Sequence, residues 1–364
     1  MFGVKTGVGY YMWNLVHHLI MVDSTNDYYL YTAASARSGE DHKITLPANA
    51  RIVDIRMTNV FRPYVGWRAR RDRLDLFHGT NGRIMTRGRF GAVATVQDLV
   101  WLRFPKPQQG RMGMRKQMAR ARRLFNGSTK LIAASQNTAN DLAELFEIPR
   151  EKIVIIYDGV NPGFGQFEDR TTVPASTPDS LHRAAPYILY VGGFDQRKNV
   201  LSLIKAYSLL PDLHPFFSLV LVGGDGEETA AIKALAVRLG LERHVVFTGY
   251  LPVEALKRFY TGATVFVYPS LYEGFGLPPL EAMACGTPVV TSNTSSLPEV
   301  VGNAGRLVAP TDVEGFAAAI RNVIEDEALR RRMRERGLER AQHFSWDATA
   351  RQTLALYREL CGQA

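Results

Sequence analysis

The sequence predicts an α/β protein built from two doubly wound parallel-sheet domains. Three observations carry this expectation. The chain has 364 residues, more than one ordinary core and enough for two domains of common size. Short β-branched runs alternate with amphipathic helical stretches through both halves, the signature of parallel sheets covered on both faces. A stretch rich in Pro, Ser and Thr and poor in large apolar residues separates the halves.

In the first half the strands are predicted at 28–32, 51–55, 74–78, 92–96, 131–134 and 153–156. Helices are predicted at 111–125 and 137–146, among others. In the second half strands fall at 187–191, 217–222, 245–248, 264–268, 288–291 and 306–308. Helices fall at 200–209, 227–239, 253–260, 278–284, 297–301, 313–326 and 328–343. Right-handed crossovers then give each half a doubly wound topology. The expected organisation is a domain at 1–165, a linker at 166–186, a second domain at 187–344 and a terminal helix at 345–364. Leu354, Tyr357 and Leu360 give that helix one apolar face, able to pack on either domain, including the N-terminal one. Two such domains are expected to leave a cleft, with ligands beyond the carboxyl ends of the strands.

Apolar residues make up 46% and charged residues 22%, as in globular soluble chains. No apolar run reaches the roughly 18–20 residues a membrane span requires. The stretch from Gly9 to Ile20 is interrupted by Asn14, His17 and His18, and no small-residue cleavage site follows. The expectation is a cytoplasmic protein. Cys285 and Cys361 are too few and too far apart for a disulfide framework or a zinc site, and Cys285 is expected buried and inert.

Charge is unevenly distributed. Residues 1–165 hold 24 Lys/Arg against 13 Asp/Glu, a net of +11, and residues 166–364 hold 20 against 22, a net of −2. The basic half either carries solubility charge or meets something anionic, such as a phospholipid surface or a phosphorylated acceptor. From Arg111 to Arg123 there are six basic residues and no acidic one, with Met114, Met118, Ala121 and Phe125 on one stripe. This reads as a domain helix with a solvated basic face, or as peripheral contact with an anionic membrane at its inner face. No recognised nucleic-acid fold accompanies the charge, so no nucleic acid is expected.

Chemistry concentrates in two segments. In the first, YPSLYEGFGLPPLEAMAC, a strand ends near Tyr268 and a helix opens near Pro278. Gly274 and Gly276 flank Phe275 and let the backbone approach a ligand, and the helix start favours phosphate. Glu273 on the loop and Glu281 in the helix's first turn are placed to face one pocket and to accept hydrogen bonds from hydroxyls. The second segment is YVGGFDQRKN, where Gly192 and Gly193 turn the chain and Arg197 and Lys198 precede a helix. A planar fork beside a compact cation suits a diphosphate.

In these two segments and around them, the chain resembles the retaining glycosyltransferases of family 4, whose fold is GT-B. The resemblance covers nearly the whole chain and is most specific from Gly249 to Leu307. The spacing of Glu273 and Glu281 matches that family's E-x7-E signature. The resemblance implies that Glu281 hydrogen-bonds the nucleotide ribose and Glu273 a hydroxyl of the transferred sugar. It implies that the backbone from Gly274 through Phe275 and Gly276 to Leu277 holds sugar hydroxyls or phosphate. Arg197 and Lys198 would neutralise the diphosphate beside Gly193, and Gly249, Tyr250 and Leu251 would line the base. Gly7 and Gly9 resemble the glycine loop beside the donor phosphate and the acceptor. His78, in the stretch from His78 to Asn81, resembles an "HG-x-N" segment, and is read either as structural or as part of the site.

Two departures from the family pattern stand out. Only Met1 to Lys5 precede the glycine loop, where the family has a full strand. Gln97 stands in a segment (TVQDL) that normally reads T-x-H-D-L, so a group able to hydrogen-bond but not to carry positive charge would meet the donor sugar. No D-x-D follows a strand, so no metal is expected. The stretch from Gly192 to Asn199 is similar to bacterial O-antigen mannosyltransferases, which implies a GDP-mannose donor. The acceptor would be a hydroxyl of a glycan or of a lipid-linked or other molecule. Two alternatives stay open: an epimerase or phosphorylase of the same fold, and a non-catalytic partner that binds nucleotide sugar.

Overall fold

The computed structural model describes residues 7–33, 46–55, 62–80, 90–105, 110–165 and 186–362. Met1 to Lys5, Asn81 and the linker residues 166–185 lie outside them. The chain divides into two units, residues 1–159 with 345–364, and residues 160–344.

The first unit opens with α1 (Gly7–Val22), followed by β1 (Tyr28–Ala33), β2 (Ala50–Ile55) and α2 (Arg62–Arg71). Next come β3 (Leu76–Gly79), β4 (Gly91–Val96), α3 (Val100–Arg103), α4 (Gly110–Gly127), β5 (Lys130–Ala133), α5 (Gln136–Phe146) and β6 (Ile153–Ile155). β3 to β6 form a four-stranded parallel sheet in chain order, and β1 pairs with β2 in a separate parallel pair. The single doubly wound sheet expected here is therefore split, because among the described residues no strand pairs with both β1–β2 and β3. The sequence reading also missed α2. Its sequence, RPYVGWRARR, carries Pro, Gly and four arginines and shows no apolar period.

The second unit holds β7 (Tyr187–Val191), α6 (Val200–Ser208), β8 (Ser218–Val222), α7 (Thr229–Arg238), β9 (Val245–Gly249), α8 (Val253–Gly262) and β10 (Val265–Tyr268). It continues through α9 (Leu277–Ala284), β11 (Val289–Ser292), α10 (Leu297–Val301), β12 (Arg306–Val308), α11 (Val313–Glu325) and α12 (Glu327–Gln342). All six strands are parallel in the order β12-β11-β10-β7-β8-β9. Every residue of β7 and β10 is buried, as central strands covered on both faces require. The strand order reverses between β7 and β10. Open α/β sheets bind their ligands at such a switch point, beyond the carboxyl ends of the two strands.

The last helix, α13 (Trp346–Leu360), returns to the first unit. Ser345 caps it, its hydroxyl accepting from the Ala348 N–H at 3.1 Å. Trp346, Ala350 and Leu354 pack on Tyr11, Leu15 and Leu19 of α1, and Leu356 packs with Val93, Ile132 and Ile156 beside the sheet. Gly159 lets the chain pass this helix: a Cβ there would lie 2.2 Å from the Trp346 backbone nitrogen. Backbone cannot yield as a flexible side chain can, so the contact leaves no room for a methyl group. Gly159→Ala is therefore expected to destabilise the protein by about 1–3 kcal/mol, the usual cost of overpacking. Chemical denaturation would show it, and an unchanged midpoint would contradict the packing.

Candidate functional site

β7 and β10 are neighbours, and both deliver a loop to the same edge of the sheet. After β7 the chain turns at Gly192, whose N–H donates to the Val222 carbonyl at 2.9 Å. The loops after β7 and β8 pass so closely that a Cβ at Gly223 would lie 1.9 Å from the Gly192 oxygen. The exposed Gly193 accepts on its carbonyl from the Tyr190 hydroxyl at 2.8 Å. A 3-10 turn over Gln196–Lys198 follows, and Asn199 ends it in the left-handed region at φ 56°. Asparagine tolerates that conformation. Its side-chain amide also donates to the Pro269 and Pro310 carbonyls at 3.1 and 2.8 Å, tying this loop to two others. Sequence reasoning did not single out Asn199; it read as the end of a basic motif.

Glu273 joins the two loops. Its Oε2 accepts from Arg197 Nη1 at 2.7 Å and its Oε1 from Lys198 Nζ at 2.8 Å. Oε1 accepts as well from the Ser270 hydroxyl at 2.6 Å and the Tyr268 hydroxyl at 3.0 Å. Arg197 Nη1 also reaches the Tyr272 carbonyl at 2.9 Å, and Lys198 donates to the Tyr268 hydroxyl. Glu273 is thus no solvated loop charge: it is 7% exposed, and Lys198 is 9% exposed.

Two cations share the one buried carboxylate, and Asp195 pairs with Arg197 at longer range. Burial raises the Glu273 carboxyl, but the two cations and their hydrogen bonds outweigh it and hold the group at about 2. Lys198 shows the opposite balance. Burial lowers its pKa, Arg197 lowers it further, and the attraction of Glu273 does not restore it. An additional anion would relieve this. Asp195 lies at the edge, with Oδ1 3.7 Å from Arg197 Nε, too far for a hydrogen bond.

The loop from Gly274 to Leu277 is pinned from behind. The Ser295 hydroxyl accepts from the Glu273 N–H at 2.7 Å and donates to the Glu273 carbonyl at 2.6 Å. The Ser296 hydroxyl donates to the Phe275 carbonyl at 2.5 Å. These serines were missed, since adjacent serines before a helix give no spacing signal. Gly276 has φ 121°, which a side chain would strain. Phe275 is 5% exposed and packs edge-on against Phe344, so its side chain belongs to the core. α9 begins at Leu277, one residue earlier than expected. Glu281 therefore sits in the second turn rather than the first. It is half-buried, accepts from the Tyr260 hydroxyl at 2.9 Å, and burial raises its carboxyl to about 7. Glu273 and Glu281 share no hydrogen-bond partner among the described residues. After β9, Tyr250 stands 73% exposed, while the half-buried Leu251 packs on the core of the second unit.

In the first unit, Gly7 and Gly9 lie in the opening turn of α1. A Cβ at Gly7 would meet nothing within 4 Å, so the protein's own packing does not require glycine there. Gln97 follows β4 and donates from Nε2 to Asp158 Oδ1 at 3.4 Å. His78 is half-buried: its Nε2 shares a hydrogen bond with Thr95 Oγ1 at 2.7 Å, and its Nδ1 meets the Tyr357 hydroxyl. Burial lowers its pKa to about 3. The geometry is that of a neutral histidine joining β3, β4 and α13, the structural of its two readings. Cys285 is buried and its thiol is raised to about 12, as expected of an inert cysteine. On α4 only Phe125 is fully buried, and all six basic residues from Arg111 to Arg123 are exposed. A cavity of about 420 Å³ beside β2 and α2 also draws on the basic excess of this unit. Its Arg68 pairs with Asp72 at 3.0 Å and its Arg51 lies over Tyr29. Among the described residues no three His, Cys, Asp or Glu side chains gather as a metal-ligand set, and no helix is long and apolar enough to cross a membrane.

Comparison with known proteins gives two family matches. Glycosyltransferase Family 4 matches residues 5–164, and Glycosyl transferases group 1 matches residues 178–340. The chain is 38% identical to O-antigen chain mannosyltransferase B of Escherichia coli over 235 residues, 64% of this chain and 61% of that protein. It is 33% identical to a D-inositol 3-phosphate glycosyltransferase of Nocardioides sp., over 63% of this chain and 53% of that one. The chain thus spans about three fifths or less of the curated relatives it matches. Among solved structures it is similar to sucrose-phosphate synthase from Thermosynechococcus elongatus, with TM-score 0.79 and 25% identity over 99% of this chain and 95% of that one. It is also similar in fold to WaaG, a glycosyltransferase involved in lipopolysaccharide biosynthesis, with TM-score 0.73 and 18% identity over 98% and 97% of the two chains. Two parallel-sheet α/β domains of this kind are the GT-B fold.

The two glutamates are expected to respond to pH in opposite directions. The folded pKa of Glu273 is depressed, so its contribution is present above the unfolded value near 4.5 and is lost as pH falls toward about 2. The folded pKa of Glu281 is raised, so its contribution is present below about 4.5 and is lost as pH rises through about 7. Denaturation of ligand-free protein at pH 4–8 should show wild type losing on the order of 3 kcal/mol relative to Glu281→Gln as pH rises. Glu273→Gln should cost about 3–5 kcal/mol near neutrality, because it removes the one carboxylate that pairs with the buried Lys198 and also a partner of the half-buried Arg197. A pH-independent difference for Glu281→Gln would contradict its burial as a carboxyl.

Proposed function

This chain belongs to the family 4, group 1 glycosyltransferases, and we propose on that premise that it moves a hexose from a nucleoside diphosphate sugar to an acceptor hydroxyl, with retention. The observation that carries the proposal is the cation pair at the switch point of the second unit's sheet, Arg197 and Lys198 held by one buried carboxylate. A leaving diphosphate is an anion that Arg197 and Lys198 can stabilise together. We assign those two residues to the diphosphate beside Gly193 and the Gly274–Leu277 backbone. Glu281, with its proton held near neutrality, is assigned to the ribose hydroxyls. Glu273 orients both cations and has Oε2, bonded by Arg197 alone, to offer a sugar hydroxyl. Tyr250 and Leu251 are assigned to the base, and Gly7, Gly9 and Gln97 to the first unit's share of donor and acceptor handling.

GDP-mannose is the donor we propose, supported by similarity to an O-antigen mannosyltransferase. The acceptor is a growing glycan or lipid-linked saccharide in polysaccharide or lipopolysaccharide assembly in the cytoplasm. Because α4 exposes six basic residues and leaves Met114 and Met118 only half-buried, we assign it to peripheral contact with an anionic membrane face.

Arg197→Ala/Lys198→Ala should cut transfer at least ~100-fold, as loss of charge-stabilising contacts does. The assay is radiolabelled GDP-mannose transfer, with thermal unfolding to confirm a folded variant. Near-normal transfer by a folded variant removes the assignment. Nucleotide-sugar binding without transfer favours the non-catalytic partner that Gln97 raises, and turnover without any acceptor favours the epimerase. For the membrane contact, reversing Arg115, Lys116 and Arg120 to Glu should abolish flotation with phosphatidylglycerol vesicles at low salt, each basic residue contributing about 1 kcal/mol. Unchanged flotation would exclude α4 from the contact.

A further inference from the structure

The assignments above give no role to Asp158. It follows β6, is 2% exposed, and its backbone is clamped on both sides by the last helix. The Thr349 hydroxyl donates to the Tyr157 carbonyl at 2.7 Å, and Gly159 lies against the Trp346 backbone. The aspartate is thus aimed by a rigid segment. Its one hydrogen-bond partner among the described residues is Gln97 Nε2, on Oδ1 at 3.4 Å. Gln97 is itself fixed at the backbone, where its carbonyl accepts from Thr138 Oγ1 at 3.1 Å. Unlike Asp158, Gln97 is only half-buried.

A primary amide has a donor end and an acceptor end. With Nε2 turned inward to the carboxylate, Oε1 is the end that Gln97 has left to offer. We propose that Asp158 is a positioning residue that locks the Gln97 amide with Oε1 outward, so that this position accepts a hydrogen bond from a hydroxyl of the transferred sugar. The proposal rests on the donor reading above, in which Gln97 meets that sugar.

The lock depends on the carboxylate being ionised, and burial raises Asp158 to about 7. Tyr11, which senses the Asp158 charge, and the groups hydrogen-bonded along the chain from it are neutral near that pH. Tyr11 of α1 has its hydroxyl on Thr95 and is held protonated by burial. His78 of β3 is neutral, and Tyr357 of α13 is likewise raised by burial. A protonated Asp158 becomes a donor, and its best partner is then an amide oxygen. Below neutrality Gln97 turns over and offers Nε2 instead of Oε1.

The test compares GDP-mannose and UDP-glucose with GDP and UDP by titration calorimetry at pH 5.5–8.5. Wild type should bind one or both nucleotide sugars more tightly as pH rises through about 7, relative to the bare diphosphate of the same base. D158N keeps an acceptor for Gln97 Nε2 at every pH, so it should hold the high-pH affinity and lose the step. D158A should weaken nucleotide-sugar binding about tenfold at pH 8, the net worth of the one hydrogen bond that Gln97 would no longer be oriented to make, and leave GDP and UDP unchanged. A step that persists in D158N, or equal effects on sugar-bearing and bare nucleotides, overturns the proposal. Thermal unfolding of ligand-free protein supplies a second arm. Wild type should lose stability relative to D158N as pH rises through about 7, and Q97L should move that loss to higher pH. If no nucleotide sugar binds wild type, the donor reading fails. The thermal arm then decides the Asp158–Gln97 coupling by itself: a Q97L curve superimposable on wild type overturns it.

Discussion

One buried carboxylate organises the second unit. Glu273 draws Arg197 and Lys198, more than seventy residues away in the chain, onto a loop that would otherwise have no reason to meet theirs. The sheet makes this meeting possible, because β7 and β10 are neighbours at the point where strand order reverses. The serines at 295 and 296 then hold the Glu273 and Phe275 carbonyls from the other side. Burying three charges is expensive unless each is matched and hydrogen-bonded. Here Glu273 is matched by both cations and two hydroxyls, whereas the burial of Lys198 is not fully repaid. The same residues that stabilise the loops therefore also prepare a place for negative charge.

The first unit buries polarity in a different way. Tyr11, Thr95, His78 and Tyr357 form a chain of hydrogen bonds with no net charge, linking α1, β3, β4 and α13. Neutral groups can be buried at low cost once paired, and such a chain favours one arrangement of the packed elements. It also explains why the terminal helix belongs to this unit. Tyr357 supplies one end of the chain and Trp346 packs on Tyr11, a contact between the two ends of the polypeptide.

Much of this fold was legible in the sequence. β7, β8, β10 and β11 are runs of Val, Ile, Leu, Tyr and Phe bounded by Gly, Pro or Ser, and their limits were placed within a residue or two. The glutamates and the basic pair were legible because residue type and position at a strand end coincide. What stayed hidden depends on distant contacts. Asn199, Ser295 and Ser296 act through backbone carbonyls of other loops, which leaves no periodic trace. Asp158 sits in a short YDG stretch that reads as a turn, and its burial comes from a helix nearly two hundred residues later. α2 was missed because arginines, proline and glycine mask its period. The alternation of strands and helices also suggested one sheet in the first unit, whereas the described strands make two.

Three carboxyls show how far environment outweighs residue type. Glu273 is buried beside two cations and stays ionised far into acid. Glu281 is matched by one tyrosine hydroxyl, and Asp158 by one amide; neither has a cation to repay its desolvation, and both rise to about 7. Ion pairing thus fixes the charge of one carboxyl, while the other two keep a choice of protonation near neutrality. A fixed anion suits the task of orienting cations, because its partners must not lose it when a ligand arrives. A carboxyl that can hold a proton suits recognition of hydroxyls, which donate and accept. The division follows from where the arginines and lysines were placed: among the described residues, Arg197 and Lys198 pair with Glu273 and no cation pairs with the other two. Moving that pair away from Glu273 would turn it into a third group of the titrating kind.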